Sequence, residues 1–198
     1  EGEDLPGSIS ATAFVAWYNG HPDYVDFDVD LSGERAVVVG NGNVALDVAR
    51  ILLDDPDKLA KTDIADHALE KLRASNIREV AILGRRGIAQ AAFTIGEFLA
   101  MGDLPGVDVI VDPAELVLDS QSLSAEDSGT LDSSISTRLR IARDFAGRAA
   151  TDGNKRVVFR FLVSPTAIAG DGKAESITLV RNEFVEAEGR VGIAATDE

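Results

Sequence analysis

An α/β fold built on a parallel sheet is what this 198-residue sequence predicts, and three observations predict it. Short apolar runs rich in Val and Ile lie at Arg35 to Val39, Glu79 to Leu83 and Val107 to Val111. The stretches between them carry apolar residues at helical spacing, and strand–helix–strand alternation implies a parallel sheet with right-handed crossovers. Two later runs, Arg156 to Val163 and Glu175 to Glu186, alternate around Gly-Asp-Gly-Lys and read as an antiparallel pair added to that sheet.

Each element has a local reason. Ser8 or Ser10 can cap a helix through Phe14, Val15, Trp17 and Tyr18, which Gly20 and Pro22 stop. Residues 23–34 alternate acids with Val and Phe before a turn. The run from Arg35 to Val39 has no polar interruption, as expected of a central strand buried on both faces. A helix from Asn43 to about Leu53 follows at once, with Val44, Val48, Ile51 and Leu52 at helical spacing. After a polar break, Thr62 or Asp63 can cap a helix through Ala65, Leu69 and Leu72. Glu79 to Leu83 ends in Gly84, a helix is expected from about Gln90 to Met101, and Val107 to Val111 stops at Asp112-Pro113. Residues 120–134 are polar and read as a mobile loop, and a basic-faced helix is expected from about Ser134 to Ala150. With no repeat and no linker between two cores, residues 1–198 read as a single domain.

Composition narrows the chemistry. The chain is 45% hydrophobic and 27% charged, close to the globular average, so a packed core is expected. Thirty-four acids against nineteen bases give a net charge of −15, which disfavours broad nucleic-acid or anionic-membrane binding. An anionic ligand must therefore be held by a small local basic site. There are no cysteines, which removes disulfides, thiolate metal sites and cysteine nucleophiles. No run approaches the roughly 18 apolar residues of a membrane span and no signal peptide is visible, so a cytoplasmic location is expected.

The informative stretch is AVVVGNGNVALDVARILL. Gly40-Asn41-Gly42-Asn43-Val44-Ala45 fits G-x-G-x-x-G/A, directly after a strand and opening a helix, as a Rossmann-like dinucleotide fold requires. Gly40 permits the tight turn, Gly42 lets a pyrophosphate approach the backbone, and Ala45 keeps helix and strand close. Backbone N–H groups of Asn43, Val44 and Ala45 are expected to point from the helix start, where the macrodipole favours an anion, and Asn43 can add its side-chain amide. An ordinary Gly-rich turn is the plainer alternative. The full expectation is a three-layer, Rossmann-like parallel sheet with a short antiparallel β addition.

In an NAD site a carboxylate closes the second strand and bonds the ribose 2′-hydroxyl. Here that strand ends Leu83-Gly84-Arg85-Arg86-Gly87. Two guanidinium groups there can hold a 2′-phosphate by forked, charge-assisted bonds, which favours NADP over NAD. An Arg-Arg dipeptide can equally be a pair of solvated side chains; its position at the carboxyl edge of the strand argues for the ligand. Arg85 lies 45 positions after Gly40, against about 20 in the compact fingerprint, so a simple dehydrogenase is in doubt.

Other chemistries fit less well. A short-chain dehydrogenase needs Tyr-x-x-x-Lys, but Pro22 follows Tyr18 by four residues and Asp28 follows Tyr24 by four. Gly172-Lys173 precedes Ala174 and lacks a phosphate loop. His21 and His67 fit no metal spacing; His21 reads as a turn residue and His67 as an exposed helical one. Ser164-Pro165 lacks a nucleophile elbow, Trp17 and Tyr18 read as packing residues, and Asp112, Glu115 and Asp119 read as loop solvation. No catalytic residue and no metal site is expected.

GNGNVALDVARILL, KTDI and LGRRG-x-x-Q-x-AFT-x-x-E together resemble the NADP-binding domain of adrenodoxin-reductase-type ferredoxin–NADP reductases, the bacterial ones above all. GEDLPGS, FVAWYNGHPD, FRFLVSP and LVRNE extend that resemblance over almost the whole chain. The resemblance implies an NADP(H)-binding domain excised from a larger flavoprotein, with FAD held by segments on either side and the isolated domain inactive. It implies that Asn43, Val44, Ala45 and Leu46 cradle the pyrophosphate and that Arg85 and Arg86 take the 2′-phosphate. It also puts Glu97 beside the adenosine ribose or those arginines. Where relatives carry a second acid one turn later, this chain has Ala100, so any proton relay or ion pair there is in doubt. In the parent, NADPH would reduce FAD, and electrons would pass to a ferredoxin-type iron–sulfur protein docked through basic residues elsewhere or through local basic patches. A free-standing NADP-binding sensor without chemistry is the alternative.

Overall fold

The structure, a computed structural model, describes residues 1–187 and 190–197. Four parallel strands, β1 (Arg35–Val39), β2 (Glu79–Gly84), β3 (Val107–Val111) and β4 (Lys155–Phe161), form a sheet in the order β1-β2-β4-β3. A separate antiparallel sheet follows, β5 (Val163–Ala169), β6 (Ser176–Ala187) and β7 (Arg190–Ala195). The run from Arg156 to Val163, expected to pair antiparallel, is instead divided. Its first part inserts between β2 and β3, and Leu162, with φ of 55°, turns the chain out into β5. The first half of β6 pairs with β5 and its second half with β7; the change of partner falls between Arg181 and Asn182.

Seven α-helices are described: α1 (Ala11–Tyr18), α2 (Asn43–Leu53), α3 (Pro56–Leu59), α4 (Asp66–Arg73), α5 (Ile95–Met101), α6 (Ser120–Asp127) and α7 (Ser133–Ala146). Ser10 caps α1 by accepting from Ala13 N at 3.1 Å. Neither Thr62 nor Asp63 caps α4; its N-cap is Ala65, and Thr62 Oγ1 instead donates to Leu59 O behind α3. The segment expected as a mobile loop contains α6, because Asp119 caps it through Ser122 N at 2.9 Å and the bidentate Arg143–Glu126 pair fastens it to α7.

The parallel sheet is unequal on its two faces. Ala36, Val80, Val157 and Val109 align in one row, and Val38, Ile82, Phe159 and Val111 in the next. Both rows pack into the main core with Leu46, Ala49, Leu53, Phe98 and Phe145. On the opposite face Ala81, Val158 and Ile110 are half-buried and Val37 is exposed. β1 is therefore an edge strand with one face open, not the doubly buried central strand expected. Its position beyond β2 leaves Val37 and Val39 uncovered among the described residues.

A phenylalanine cluster sets the floor beneath the carboxyl ends of the strands. Phe93 stacks on Phe98 at 4.4 Å, and Phe98 meets Phe145 and Phe159 edge-on, each at 5.1 Å. All four rings are fully buried, so the segment before α5 is anchored by large apolar groups.

Candidate dinucleotide-binding site

The turn between β1 and α2 is built as the glycines require. Gly40 adopts φ of 112°, a conformation other residues rarely reach, and its N–H donates to Leu83 O at 2.8 Å. A Cβ on Gly42 would meet nothing within 4 Å, so the space in front of the turn is open. The carbonyl of Asn41 accepts from Ala92 N at 3.2 Å and Phe93 N at 3.1 Å, fixing the turn to the aromatic floor. A Cβ on Gly84 would lie 2.5 Å from Asn41 Nδ2, so glycine there lets the Asn41 side chain cross the end of β2.

At the start of α2 the N–H groups divide into two sets. Ala45 N and Leu46 N both turn to Gly42 O, at 3.0 and 3.4 Å, whereas those of Asn43 and Val44 have no partner among the described residues. The open donors are thus Asn43 and Val44, and the sequence expectation that Ala45 also offers its N–H is not met. The Ala45 and Leu46 side chains are buried in the core and hold α2 to the sheet. The Asn43 side chain accepts from Thr94 N through Oδ1 at 2.8 Å, which leaves Nδ2 as an outward donor. Val44 is 53% exposed beside a hollow of about 480 Å³ that Val15, Ala16 and Asn19 also line.

Arg85 and Arg86 follow Gly84 directly, next to Asn41 of the turn, so the structure brings the two basic residues and the open amides to one edge of the sheet. Both arginines are exposed, and neither guanidinium has a hydrogen-bond or ion-pair partner among the described residues. Their backbones, by contrast, are held: Asn182 Nδ2 donates to Arg85 O at 2.9 Å and Leu162 N to Arg86 O at 3.2 Å. Glu97, in the first turn of α5, pairs with Arg50 of α2, whose other nitrogen reaches Asp47 at 3.2 Å; its carboxylate is therefore not on Arg85 or Arg86 in this structure. Ala100 is half-buried one turn further on.

The buried side-chain polar atoms without a hydrogen-bond partner among the described residues are Asn41 Nδ2, Gln90 Oε1 and Arg138 Nε. All three belong to this neighbourhood: Asn41 to the turn, Gln90 to the segment after the arginines, and Arg138 to α7, whose Nη1 donates to Ala89 O at 3.0 Å.

Several supporting residues had no role in the sequence reading. Glu115 and Asp119, expected to solvate a loop, are 3% and 4% exposed. Glu115 accepts from Arg160 Nε at 2.7 Å and Phe161 N at 2.8 Å, steadying the end of β4 beside Gly84. Asp119 accepts from Gln90 Nε2 at 2.6 Å and from both the N–H and hydroxyl of Ser122. Burial pushes the Asp119 carboxyl up, but those hydrogen bonds outweigh it and hold it below the ordinary aspartate value. His67, expected to be exposed, is half-buried with Nε2 2.9 Å from Trp17 O. His21 is a turn residue, its Nδ1 accepting from Asp23 N at 3.3 Å.

The known proteins most informative about this arrangement are reductases. Over all 198 residues the chain is 54% identical to the NADPH-ferredoxin reductase FprA of Mycobacterium tuberculosis, and it covers 42% of that protein. The solved structure of Mycobacterium tuberculosis FprA in complex with NADPH superposes with a TM-score of 0.92 at 55% identity, covering all of this chain and 43% of that one. The chain is homologous to a part of the FprA reductase of Mycobacterium tuberculosis. Mitochondrial NADPH:adrenodoxin oxidoreductase of Bos taurus is 55% identical over 116 residues, which are 59% of this chain and 24% of that protein. No protein-family model matches the chain. The chain thus spans about two-fifths of the length of the mycobacterial relatives it matches. Among its described residues no helix is long and apolar enough to cross a membrane, and no cluster of three or more acids or histidines could hold a metal ion.

Proposed function

We propose that this chain is a single domain that binds NADP(H) at the edge formed by the glycine turn and the Arg85–Arg86 tip. The observation that carries the reading is the pairing of two kinds of unspent donor at one strand edge. The open N–H groups of Asn43 and Val44, with Asn43 Nδ2, suit a pyrophosphate at a helix start. The two unpartnered guanidiniums suit a phosphomonoester. Open space over Gly42 gives the coenzyme backbone room to approach, so the residues present fit the group.

In a longer protein of the FprA kind, the domain would hold the adenosine end of NADPH and present its nicotinamide to FAD carried by other segments. When bound, NADPH supplies a hydride for FAD, from which electrons pass singly to an iron–sulfur protein of the ferredoxin class. This chain's part is binding and orientation. Gly40, Gly42, Asn43 and Val44 shape and line the pyrophosphate end; Ala45 and Leu46 fix the helix that presents it. Arg85 and Arg86 select the 2′-phosphate. Glu97, tied to Arg50, sets the charge at the near end of α5 beside the turn. With a net charge of −15, docking of an acidic iron–sulfur partner falls to basic patches or to other segments, and neither nucleic acid nor a membrane is a partner. A cytoplasmic setting suits such a reductase.

Calorimetric titration of the chain with NADP⁺ and NAD⁺ tests the reading. The expected result is NADP⁺ binding tighter by about tenfold or more. Equal affinities overturn the 2′-phosphate assignment.

A further inference from the structure

The two arginines stand on a tip whose geometry is set from outside the parallel sheet. Leu162 and Asn182 form a bracket around it: Asn182 N donates to Leu162 O at 2.7 Å, Leu162 N to Arg86 O at 3.2 Å, and Asn182 Nδ2 to Arg85 O at 2.9 Å. Asn182 is 8% exposed, and its side-chain amide also donates to Ser164 Oγ at 2.8 Å, so both amide hydrogens are engaged. It sits where β6 changes partner from β5 to β7, and Leu162 holds φ of 55° where β4 hands over to β5. Asparagine is disfavoured in strands and a positive φ is disfavoured for leucine. Both uncommon choices converge on the carbonyls of Arg85 and Arg86.

We propose that Asn182 is a positioning residue for coenzyme selection: it fixes the Arg85–Arg86 backbone so that both guanidiniums meet one 2′-phosphomonoester. This rests on the NADP(H) reading above. Each arginine side chain is long and flexible, so the spacing of their anchors decides whether two forks converge on one phosphate. The pyrophosphate turn hangs on different residues, Leu83, Ala92, Phe93 and Thr94. Release of the tip should therefore weaken recognition of the extra phosphate while sparing what NAD⁺ and NADP⁺ share.

The test compares the Kd for NADP⁺ and NAD⁺, by calorimetry, in the wild-type chain, N182A and N182L; leucine fills the asparagine volume without an amide should alanine fail to fold. The expected result is that the preference for NADP⁺ over NAD⁺ falls about fivefold or more, the scale of a lost hydrogen bond, while NAD⁺ affinity stays within about twofold. A preference that is unchanged, whether both affinities persist or both fall together, overturns the proposal. So does loss of fold in both variants by circular dichroism, which would make Asn182 a residue of the fold alone. A wild-type chain that binds both coenzymes equally refutes the role of Arg85 and Arg86 themselves, and that failure is visible before any Asn182 variant is compared.

Discussion

Asn43 Oδ1 accepts the backbone N–H of Thr94 at 2.8 Å, tying the first residue of α2 to the N-cap of α5. This bond orients the carboxamide, because only the oxygen can accept, and it turns Nδ2 into an available donor. N43A removes both functions and is expected to weaken NAD⁺ and NADP⁺ alike by about tenfold, on the scale of one or two hydrogen bonds. N43D keeps the acceptor for Thr94 but puts a negative charge at the proposed pyrophosphate site, so its loss should be the larger. Parallel titrations of the two variants check the order; N43D binding as well as wild type would show that the amide is not used.

Arg85 and Arg86 call for a different signature. Their guanidiniums have no protein partner among the described residues, so R85A/R86A leaves no buried charge stranded and should leave the unfolding temperature nearly unchanged. Charge-assisted bonds are worth about 1.5–3 kcal/mol each, so NADP⁺ affinity is expected to fall roughly a hundredfold or more with NAD⁺ affinity preserved. The wild-type preference should also shrink as salt is raised, since exposed charges are screened. A preference indifferent to ionic strength would argue against guanidinium recognition.

The glycine turn and the basic strand tip were legible in the sequence because in each one short segment contains both the cause and the consequence. Gly40 to Ala45 dictates a turn and a helix start within six residues, and Leu83 to Gly87 places two cations at a strand end. What could not be read is what arrives from far along the chain. Asn182 lies 97 positions from Arg85 and Glu115 lies 46 from Phe161, and nothing local marks either contact. The strand ending at Phe161 alternates as an antiparallel strand does, because one face of the sheet is half-open; that alternation concealed its parallel insertion between β2 and β3. The edge position of β1 was hidden for the converse reason. Three consecutive valines read as burial on both faces, while Val37 and Val39 are in fact exposed. α6 was masked by its serines, which favour turns until a buried aspartate caps them.

Arg50 and Glu97 join α2 to α5 through side chains that are 29% and 39% exposed. A partly solvated pair of this kind is worth little, so a double-mutant cycle of R50A and E97A on urea unfolding is expected to give a coupling of about 0.2–1 kcal/mol. Arg50 also reaches Asp47 at 3.2 Å, so E97A leaves the guanidinium with a remaining partner and should be the milder single change. A coupling well above that range would mean that the pair is shielded far more than its exposure indicates.

Asp119 makes the stability of the fold depend on pH. Its folded carboxyl titrates below the ordinary 3.8, so the ionised form is favoured by the fold. This stabilisation is therefore fully present above 3.8 and is lost as the pH falls through the lower folded value. D119A removes the cap of α6 and the acceptor for Gln90, and is expected to cost about 1–2 kcal/mol at neutral pH. The charge-dependent part of that gap should narrow as the pH drops below 3.8, because the wild type then loses what the variant already lacks. Urea unfolding of both proteins from neutral pH down into that range checks it. A gap that widened on acidification would reverse the sign and show that the buried carboxyl is held protonated instead.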